Sequence, residues 1–204
     1  MILRIGIPAY NGVLCEETQR TLAQIRETKT SWTIDLRVAS GTYPAHARNA
    51  CITLDISHAK KQHYDFDYFL SMDADIAFDV KNLERLIALD VDIISMAYVG
   101  RTNKTCNHLM AGEWGIKPGI SSMDLWIPVY AHEIKKCDWV GMGACLIKKE
   151  VLEKMEHPYF RHTVIDNGES ANEVTEDWGF SISAAEAGYS IYVDCDNRAA
   201  HIPH

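Results

Sequence analysis

The chain has 204 residues, of which 47% are hydrophobic and 24% charged, an ordinary composition for a globular protein. This length suffices for one full-sized core and is short for two domains. A formal net charge of −8 argues against a nucleic-acid-binding protein, which normally has a basic face. Phosphate recognition would therefore depend on local devices, namely a metal ion, helix N-termini or single basic residues.

The six cysteines are scattered without a CxxC pair, which predicts reduced thiols rather than a disulfide framework or a zinc site. The N-terminal apolar run is too short for a signal peptide. No segment of the sequence approaches the roughly 18 apolar residues of a membrane span. We therefore expect a cytoplasmic protein without a transmembrane segment, which is compatible with work at a membrane on lipid-linked substrates.

The first half of the chain alternates between predicted strands and helices. Strands are predicted at residues 3–7, 34–39, 66–72 and 91–99, and helices at residues 15–28, 45–61 and 81–89. This alternation predicts an α/β sandwich with a largely parallel central sheet flanked by helices. Ligands of such sheets bind at the carboxyl ends of the strands, where residues 8–12, 40–44 and 73–75 fall.

The second half is less regular. Residues 100–138 predict long loops with a hairpin, in a region where acceptor contacts usually evolve. The pattern then predicts a buried strand at 139–148, a short helix at 149–156 and a mobile polar loop at 161–174. A helix from Thr175 to Gly188 and a late strand at 191–193 complete the prediction.

The most informative motif is Asp73-Ala74-Asp75, which directly follows the apolar run from Phe66 to Met72. Two carboxylates one residue apart repel each other unless a cation lies between them. Mg²⁺ and Mn²⁺ take oxygen ligands and often bind through one or two carboxylates together with substrate phosphates. The motif therefore predicts a metal–diphosphate site at the carboxyl edge of the sheet. The alternative is that the aspartates only form a turn at a strand end.

A second acidic cluster, Glu176-Asp177, opens the predicted helix after Thr175. Thr175 is a candidate N-cap and acidic side chains complement the dipole of a first helical turn, so a structural role is open. The functional alternative is that one carboxylate acts as a general base or positions a sugar hydroxyl. Near the C-terminus, His201 is a suitable third ligand for Mn²⁺, with His204 as the competing candidate. The alternative is that this histidine is only a surface or packed residue.

Four ordered stretches resemble the nucleotide-sugar-dependent glycosyltransferases of the GT-A fold, particularly the family-2-like group. They are Ile5-Gly6-Ile7-Pro8-Ala9-Tyr10-Asn11, Ala47-Arg48-Asn49, Asp73-Ala74-Asp75, and Glu176-Asp177-Trp178-Gly179-Phe180 with His201 behind it. The resemblance implies one GT-A domain over residues 1–204, with a nucleotide-binding half at 1–99 and an acceptor and catalytic half at 100–204.

The resemblance also implies roles for individual residues. The loop after the first strand receives the base and ribose in such enzymes, which implies nucleotide contacts by Pro8, Ala9, Tyr10 and Asn11. The arginine that matches Arg48 contacts the base or a phosphate, and Asp73 and Ala74 also belong to the nucleotide site. The implied ligands of Mn²⁺, or alternatively Mg²⁺, are Asp75, Asp73 and His201. Asp177, or less favourably Glu176, is the implied base of an inverting enzyme.

The implied activity is transfer of a sugar from a nucleoside-diphosphate sugar to a hydroxyl of a glycan, lipid-linked or protein acceptor. Many family-2 enzymes have an aspartate after the second strand that reads uracil, whereas this chain has Ser40-Gly41-Thr42. A UDP-sugar is favoured and a GDP-sugar stays open. Sugar stacking is a candidate role for three tryptophans, although packing is the commoner one: Trp114, Trp126 and Trp178.

Two other functions stay open at this point. One is a catalytically silent domain that binds a nucleotide sugar or serves as a scaffold. The other is a different metal-dependent nucleotide enzyme, such as a nucleotidyltransferase. The sequence has no Gly-rich, basic phosphate loop near its first strand, which counts against the second of these.

Overall fold

The computed structural model describes residues 1–28, 31–41, 43–53, 64–100, 108–113, 126–166 and 171–203. The first half contains β1 (Ile2–Pro8), a 3-10 turn (Tyr10–Gly12), α1 (Glu16–Glu27), β2 (Thr33–Ala39), α2 (Pro44–Ile52), β3 (Tyr68–Met72), β4 (Ile76–Ala77), α3 (Val80–Leu89) and β5 (Ile93–Ala97). The second half contains β6 (His108–Gly112), β7 (Trp126–Pro128), β8 (Ile134–Cys137), β9 (Trp139–Val140), β10 (Ala144–Lys148), α4 (Lys149–Lys154), β11 (Thr163–Asp166), β12 (Ala171–Val174), α5 (Glu176–Glu186), β13 (Ile191–Arg198) and β14 (Ala200–His201).

The centre of the fold is a seven-stranded sheet with the order β2-β1-β3-β10-β5-β13-β8. The β1–β2, β1–β3 and β5–β13 pairs are parallel, whereas β10 runs antiparallel to both β3 and β5, and β8 runs antiparallel to β13. The α/β class is therefore confirmed, and five of the seven strands run in the same direction, with β10 and β8 as the exceptions to the predicted parallel arrangement. The difference arises because β10, from the second half of the chain, inserts between two strands of the first half.

Helices cover both faces of this sheet, because its strand residues alternate between two apolar clusters. Phe69 and Ile147 point to the cluster that includes residues of α2, α4 and α5. Leu70 and Leu146 point to the opposite cluster, which includes residues of α1 and α3. The expected flanking by helices is confirmed. None of the helices in the described ranges is both long and apolar enough to cross a lipid bilayer.

Several predicted elements differ in extent from the observed ones. The helix predicted at 45–61 begins at Pro44 and is described to Ile52, and residues 54–61 of the prediction lie outside the described residues. The single strand predicted at 139–148 is wrong, because a turn at residues 141–143 separates β9 from β10. The polar loop predicted at 161–174 is also wrong, since β11 and β12 pair as an antiparallel hairpin.

Candidate active site

The Asp73-Ala74-Asp75 turn lies at the carboxyl end of β3 and is fixed by backbone hydrogen bonds. The amide of Asp73 donates to the Gly143 carbonyl (2.9 Å), and the amide of Ile76 donates to the Asp73 carbonyl (3.2 Å). The amide of Cys15, just before α1, donates to the Ala74 carbonyl (2.9 Å). Two other parts of the chain and one internal hydrogen bond thus hold the turn, which gives it the rigidity that a ligand-binding carboxylate pair requires.

The loop predicted to receive a nucleotide follows β1 beside this turn. Pro8 ends the strand, and the amide of the buried Ala9 donates to the Ala39 carbonyl of β2 (2.9 Å). The Tyr10 side chain is 67% exposed, and Asn11 adopts a left-handed conformation with φ of 59°. The loop therefore offers an aromatic face at the carboxyl edge of the sheet. The nucleotide contacts of these four residues stay a prediction, as does that of Ala74, and Thr42 of the neighbouring loop lies outside the described residues.

His201 lies against Asp75 because β14 pairs with β4. The pairing sets His201 opposite Ile76, and the amide of Ile202 donates to the Asp75 carbonyl (2.8 Å). His201 Nε2 lies 3.3 Å from Asp75 Oδ2, and Asp75 is fully buried. His201 Nδ1 lies 3.0 Å from the Val99 carbonyl, which can only accept, so Nδ1 carries a proton. A ring N–H held by a backbone carbonyl is the usual arrangement of a metal-ligating histidine.

The predicted three-residue metal site is assembled only in part. Asp75 and His201 are in contact, but Asp73 Oδ1 forms an ion pair with Arg48 Nη2 at 2.9 Å. Within the described ranges, no group of three or more His, Cys, Asp or Glu side chains has the arrangement of a metal site. The Asp75–His201 pair fits two protein ligands of Mn²⁺ or Mg²⁺, which commonly add substrate phosphates and water. His204, the competing candidate, lies outside the described residues.

Arg48 is the centre of the polar contacts in the site. Its side chain is 5% exposed and projects from α2 toward three carboxylates. The ion pairs are with Asp73 Oδ1 (2.9 Å from Nη2), Glu176 Oε1 (3.5 Å from Nε) and Asp177 Oδ1 (3.8 Å from Nη2). Burial alone would lower the pKa of Arg48, but these carboxylates reverse the shift and raise the pKa, so the guanidinium keeps its charge.

Glu176 and Asp177 lie in the first turn of α5 and face Arg48. The preceding Thr175 occupies the N-cap position, but its side chain makes no capping hydrogen bond to a described residue. Asp177 Oδ2 accepts a hydrogen bond from the Met142 amide (3.3 Å). The pKa of Asp177 is raised to about 7, chiefly by burial. The neighbouring charges of Glu176 and Asp73 also raise this pKa, and together these effects outweigh the lowering by Arg48. A carboxylate with this pKa suits general base catalysis near neutral pH.

Tyr98 is a site residue that the sequence did not single out. It is buried after β5, and its hydroxyl accepts a hydrogen bond from the Gly143 amide (2.7 Å). A Cβ on Gly141 would collide with this hydroxyl, and one on Gly143 would lie 2.8 Å from it and 3.1 Å from Asp73 Oδ2. The 141–143 turn therefore requires glycines. Burial, with the charges of Asp73 and Asp177, raises the pKa of Tyr98 well above its ordinary value, so the phenol stays protonated.

Asn49 fixes the segment that carries α5 toward the site. Its Nδ2 donates to the Ala45 and Phe160 carbonyls (2.8 and 2.7 Å), and its Oδ1 accepts from the Tyr159 and Phe160 amides (2.9 and 3.2 Å). The Phe160 ring stacks on Phe180 of α5 at a centroid distance of 5.0 Å. The Ala47-Arg48-Asn49 motif thus supplies both a charge for the site and an anchor for α5.

Two further groups lie beside the acidic pair. His162 Nε2 is 3.9 Å from Glu176 Oε2, which connects the start of the β11–β12 hairpin to the site. Trp139 is buried and contacts Trp126 edge-on and Trp178 face-on, each at a centroid distance of 4.9 Å. Trp126 and Trp178, two of the predicted sugar-stacking residues, therefore each pack against Trp139 on one side. The third, Trp114, lies outside the described residues.

No protein-family model matches the sequence, and no curated protein matches it by sequence. The solved structures with similar folds include three that align with nearly all of the chain. A197 from STIV has a TM-score of 0.53 and 15% identity, with 100% of this chain and 94% of that chain covered. TarS 1-349 from S. aureus has a TM-score of 0.56 and 14% identity, with 99% of this chain and 60% of that chain covered.

The third structure is GalNAc-T7 with UDP, GalNAc and Mn²⁺, at a TM-score of 0.55 and 12% identity, with 99% of this chain and 44% of that chain covered. This chain therefore spans less than two thirds of the length of TarS 1-349 and of the GalNAc-T7 chain. Both of these neighbours are glycosyltransferases of GT-A type. At such low identities the likeness shows the fold alone, and that fold is similar to the GT-A type.

Proposed function

We propose that this chain is a metal-dependent glycosyltransferase that moves a sugar from a nucleoside-diphosphate sugar to an acceptor hydroxyl. The observation that carries the proposal is the meeting of two acidic groups at the carboxyl edge of a GT-A-like sheet. Asp75 lies against His201, and Asp73, Glu176 and Asp177 surround Arg48. Either group by itself has a purely structural explanation. Together they would supply metal ligands and a general base, which sugar transfer from a nucleoside diphosphate requires.

The donor side of the proposed site is formed mainly by residues 1–99. Asp75 and His201 would hold Mn²⁺ or Mg²⁺, and such an ion supplies positive charge to a leaving diphosphate. Pro8, Ala9, Tyr10 and Asn11 would contact the nucleotide, with the exposed Tyr10 ring as a stacking face for the base. We favour a UDP-sugar as the donor, with a GDP-sugar as the alternative.

The acceptor side is formed mainly by residues 100–204. The acceptor would be a hydroxyl of a glycan, a lipid-linked molecule or a protein. Asp177 would accept the proton of the attacking hydroxyl, since its pKa of about 7 allows it to be ionised at neutral pH and still basic enough to take a proton. Glu176, which is closer to His162 and to Arg48 Nε, would orient the acceptor or donor hydroxyls. This assignment corresponds to an inverting reaction.

The test is calorimetric titration of UDP-, GDP- and dTDP-sugars into the protein, each with and without Mn²⁺. We expect manganese-dependent binding of one donor, and loss of that dependence in Asp75→Ala and His201→Ala. The control variant is Asp90→Ala, which removes a carboxylate bound to Tyr68 and Lys148 at the opposite edge of the sheet. Its donor affinity should equal that of the wild type.

Two results would contradict the proposal. If no donor binds to a chain shown to be folded by circular dichroism, the site does not recognise nucleotide sugars. If a donor binds with manganese but is neither hydrolysed nor transferred to any of a broad set of acceptors, the chain is a binding domain. Unchanged manganese-dependent binding in Asp75→Ala would instead refute the metal-ligand assignment alone.

A further inference from the structure

Arg48 has contacts that differ from those of a nucleotide-binding arginine. Beyond the three ion pairs, its Nη1 donates to Ser71 Oγ (3.0 Å) and to the Met142 carbonyl (3.3 Å). Ser71 is fully buried within β3, and only 5% of the Arg48 side chain is exposed. Protein groups thus surround all three guanidinium nitrogens, which leaves little surface for a base or a phosphate to contact.

The position of Arg48 is also fixed from its backbone. The neighbouring Asn49 makes three hydrogen bonds that join α2 to residues 159 and 160 and a fourth within α2, to the Ala45 carbonyl. The Arg48 guanidinium carbon lies 6.0 Å from the centre of the Phe160 ring. Movement of Arg48 toward the solvent would therefore break ion pairs, two hydrogen bonds and this contact together. A rigid, buried cation is suited to hold other residues rather than to capture a ligand.

The charge balance shows which residues depend on Arg48. One positive charge faces three carboxylates, so the four groups carry a net charge of −2 when all are ionised. Asp73 comes from the donor side, whereas Glu176 and Asp177 come from α5 on the acceptor side. Without the guanidinium, like charges from the two sides would repel each other in a buried site. Arg48 Nη2 is the atom that Asp73 and Asp177 share.

We propose that Arg48 is a positioning residue that holds Asp177 in place for the acceptor by binding it and Asp73 through one guanidinium, and that it does not bind the nucleotide. This inference rests on the proposed glycosyltransferase function. It assigns to Arg48 a role different from the nucleotide contact that the family resemblance implies. Loss of the Arg48 contacts with Asp73 and Asp177 should slow the reaction at saturating donor and leave nucleotide affinity unchanged.

The experiment compares Arg48→Lys with the wild type in two measurements. One is the dissociation constant of the matching nucleoside diphosphate with Mn²⁺, and the other is the rate of donor hydrolysis at saturation, in which water replaces the acceptor. Lysine keeps the charge but replaces the planar guanidinium with a single ammonium on a flexible stem, so it cannot hold these carboxylates in the same geometry. We expect the dissociation constant to change by less than about twofold and the rate to fall by about a hundredfold, as misplaced catalytic groups do.

Arg4→Lys is the matched control, because Arg4 is equally buried and forms ion pairs with Asp35 and Asp65 at the opposite edge of the sheet. Both measurements should stay within about twofold of the wild type in this variant. If Arg48→Lys does not fold, Ser71→Ala replaces it, since this change removes one hydrogen bond to the guanidinium without altering a charge. We expect Ser71→Ala to slow hydrolysis by about tenfold with unchanged nucleotide affinity.

The outcomes separate this inference from the proposed function. If nucleotide affinity weakens by about tenfold or more in Arg48→Lys, or if the hydrolysis rate is unchanged, the positioning role is overturned while the glycosyltransferase function stands. If the wild-type chain neither hydrolyses a donor nor transfers its sugar to an acceptor, the proposed function fails and the positioning role fails with it. A slower rate at unchanged affinity, absent in Arg4→Lys, supports the inference.

Discussion

Replacement of Asp177 by asparagine should stabilise the protein while removing its function. The carboxylate of Asp177 is 17% exposed and has a pKa raised from 3.8 to about 7, chiefly by burial. The folded chain therefore keeps this proton at pH values at which the unfolded chain has lost it. Ionisation opposes folding increasingly as the pH rises from about 4 to about 7, and the whole effect is present above pH 7.

The size of the effect follows from the pKa difference. A shift from 3.8 to about 7 is roughly three units, and each unit corresponds to 1.36 kcal/mol, which gives about 4 kcal/mol. Asparagine resembles the protonated carboxyl in size and in lacking a charge. Asp177→Asn should accordingly raise the free energy of unfolding by about 4 kcal/mol at pH 8, by less than half of that at pH 5, and by still less at pH 4.

The assay is urea unfolding followed by circular dichroism at these pH values, in EDTA so that no metal ion contributes. Asp194→Asn is the control, because Asp194 is also fully buried but its oxygens lie 2.5 and 3.0 Å from Arg85 nitrogens. That variant should be destabilised at pH 8, since it removes the negative charge of the Arg85–Asp194 ion pair. An Asp177→Asn protein that is no more stable than the wild type at pH 8 would refute the reasoning that burial disfavours the ionised form of this carboxylate.

Three other predictions concern the same site. The rate of sugar transfer or donor hydrolysis should rise with pH and level off above about pH 7, because Asp177 acts as a base only when ionised; a pH–rate profile that is flat from pH 5 to 8 would exclude it as the base. Tyr98→Phe should reduce the free energy of unfolding by about 1–2 kcal/mol, since the buried Gly143 amide loses its acceptor; thermal or urea unfolding with no loss would contradict this contact. Asn49→Ala should reduce it by about 3 kcal/mol, because its amide satisfies four backbone groups, whereas an effect below about 1 kcal/mol in urea unfolding would show that solvent replaces these bonds.

The sequence by itself determined the features that depend on neighbouring residues. Alternating strands and helices established the α/β class, and the apolar run of β3 placed Asp73 and Asp75 where a strand leaves the core. Glu176 and Asp177 were correctly predicted to open a helix, since acidic residues in a first turn complement its dipole. These conclusions hold because short-range periodicity and local charge decide whether a segment is a strand, a helix or a turn.

The tertiary structure alone decided which of these groups meet. His201 reaches Asp75 through the pairing of β14 with β4, and Arg48 joins Asp73 to Asp177 because α2 and α5 pack on the same face of the sheet. Tyr98 had no distinguishing signal in the sequence, because only the 141–143 turn makes its hydroxyl important. A buried apolar strand can pair in either direction and with several partners, so its sequence pattern did not reveal that β10 lies antiparallel between β3 and β5. The partners and directions follow from the packing of the whole chain around one core.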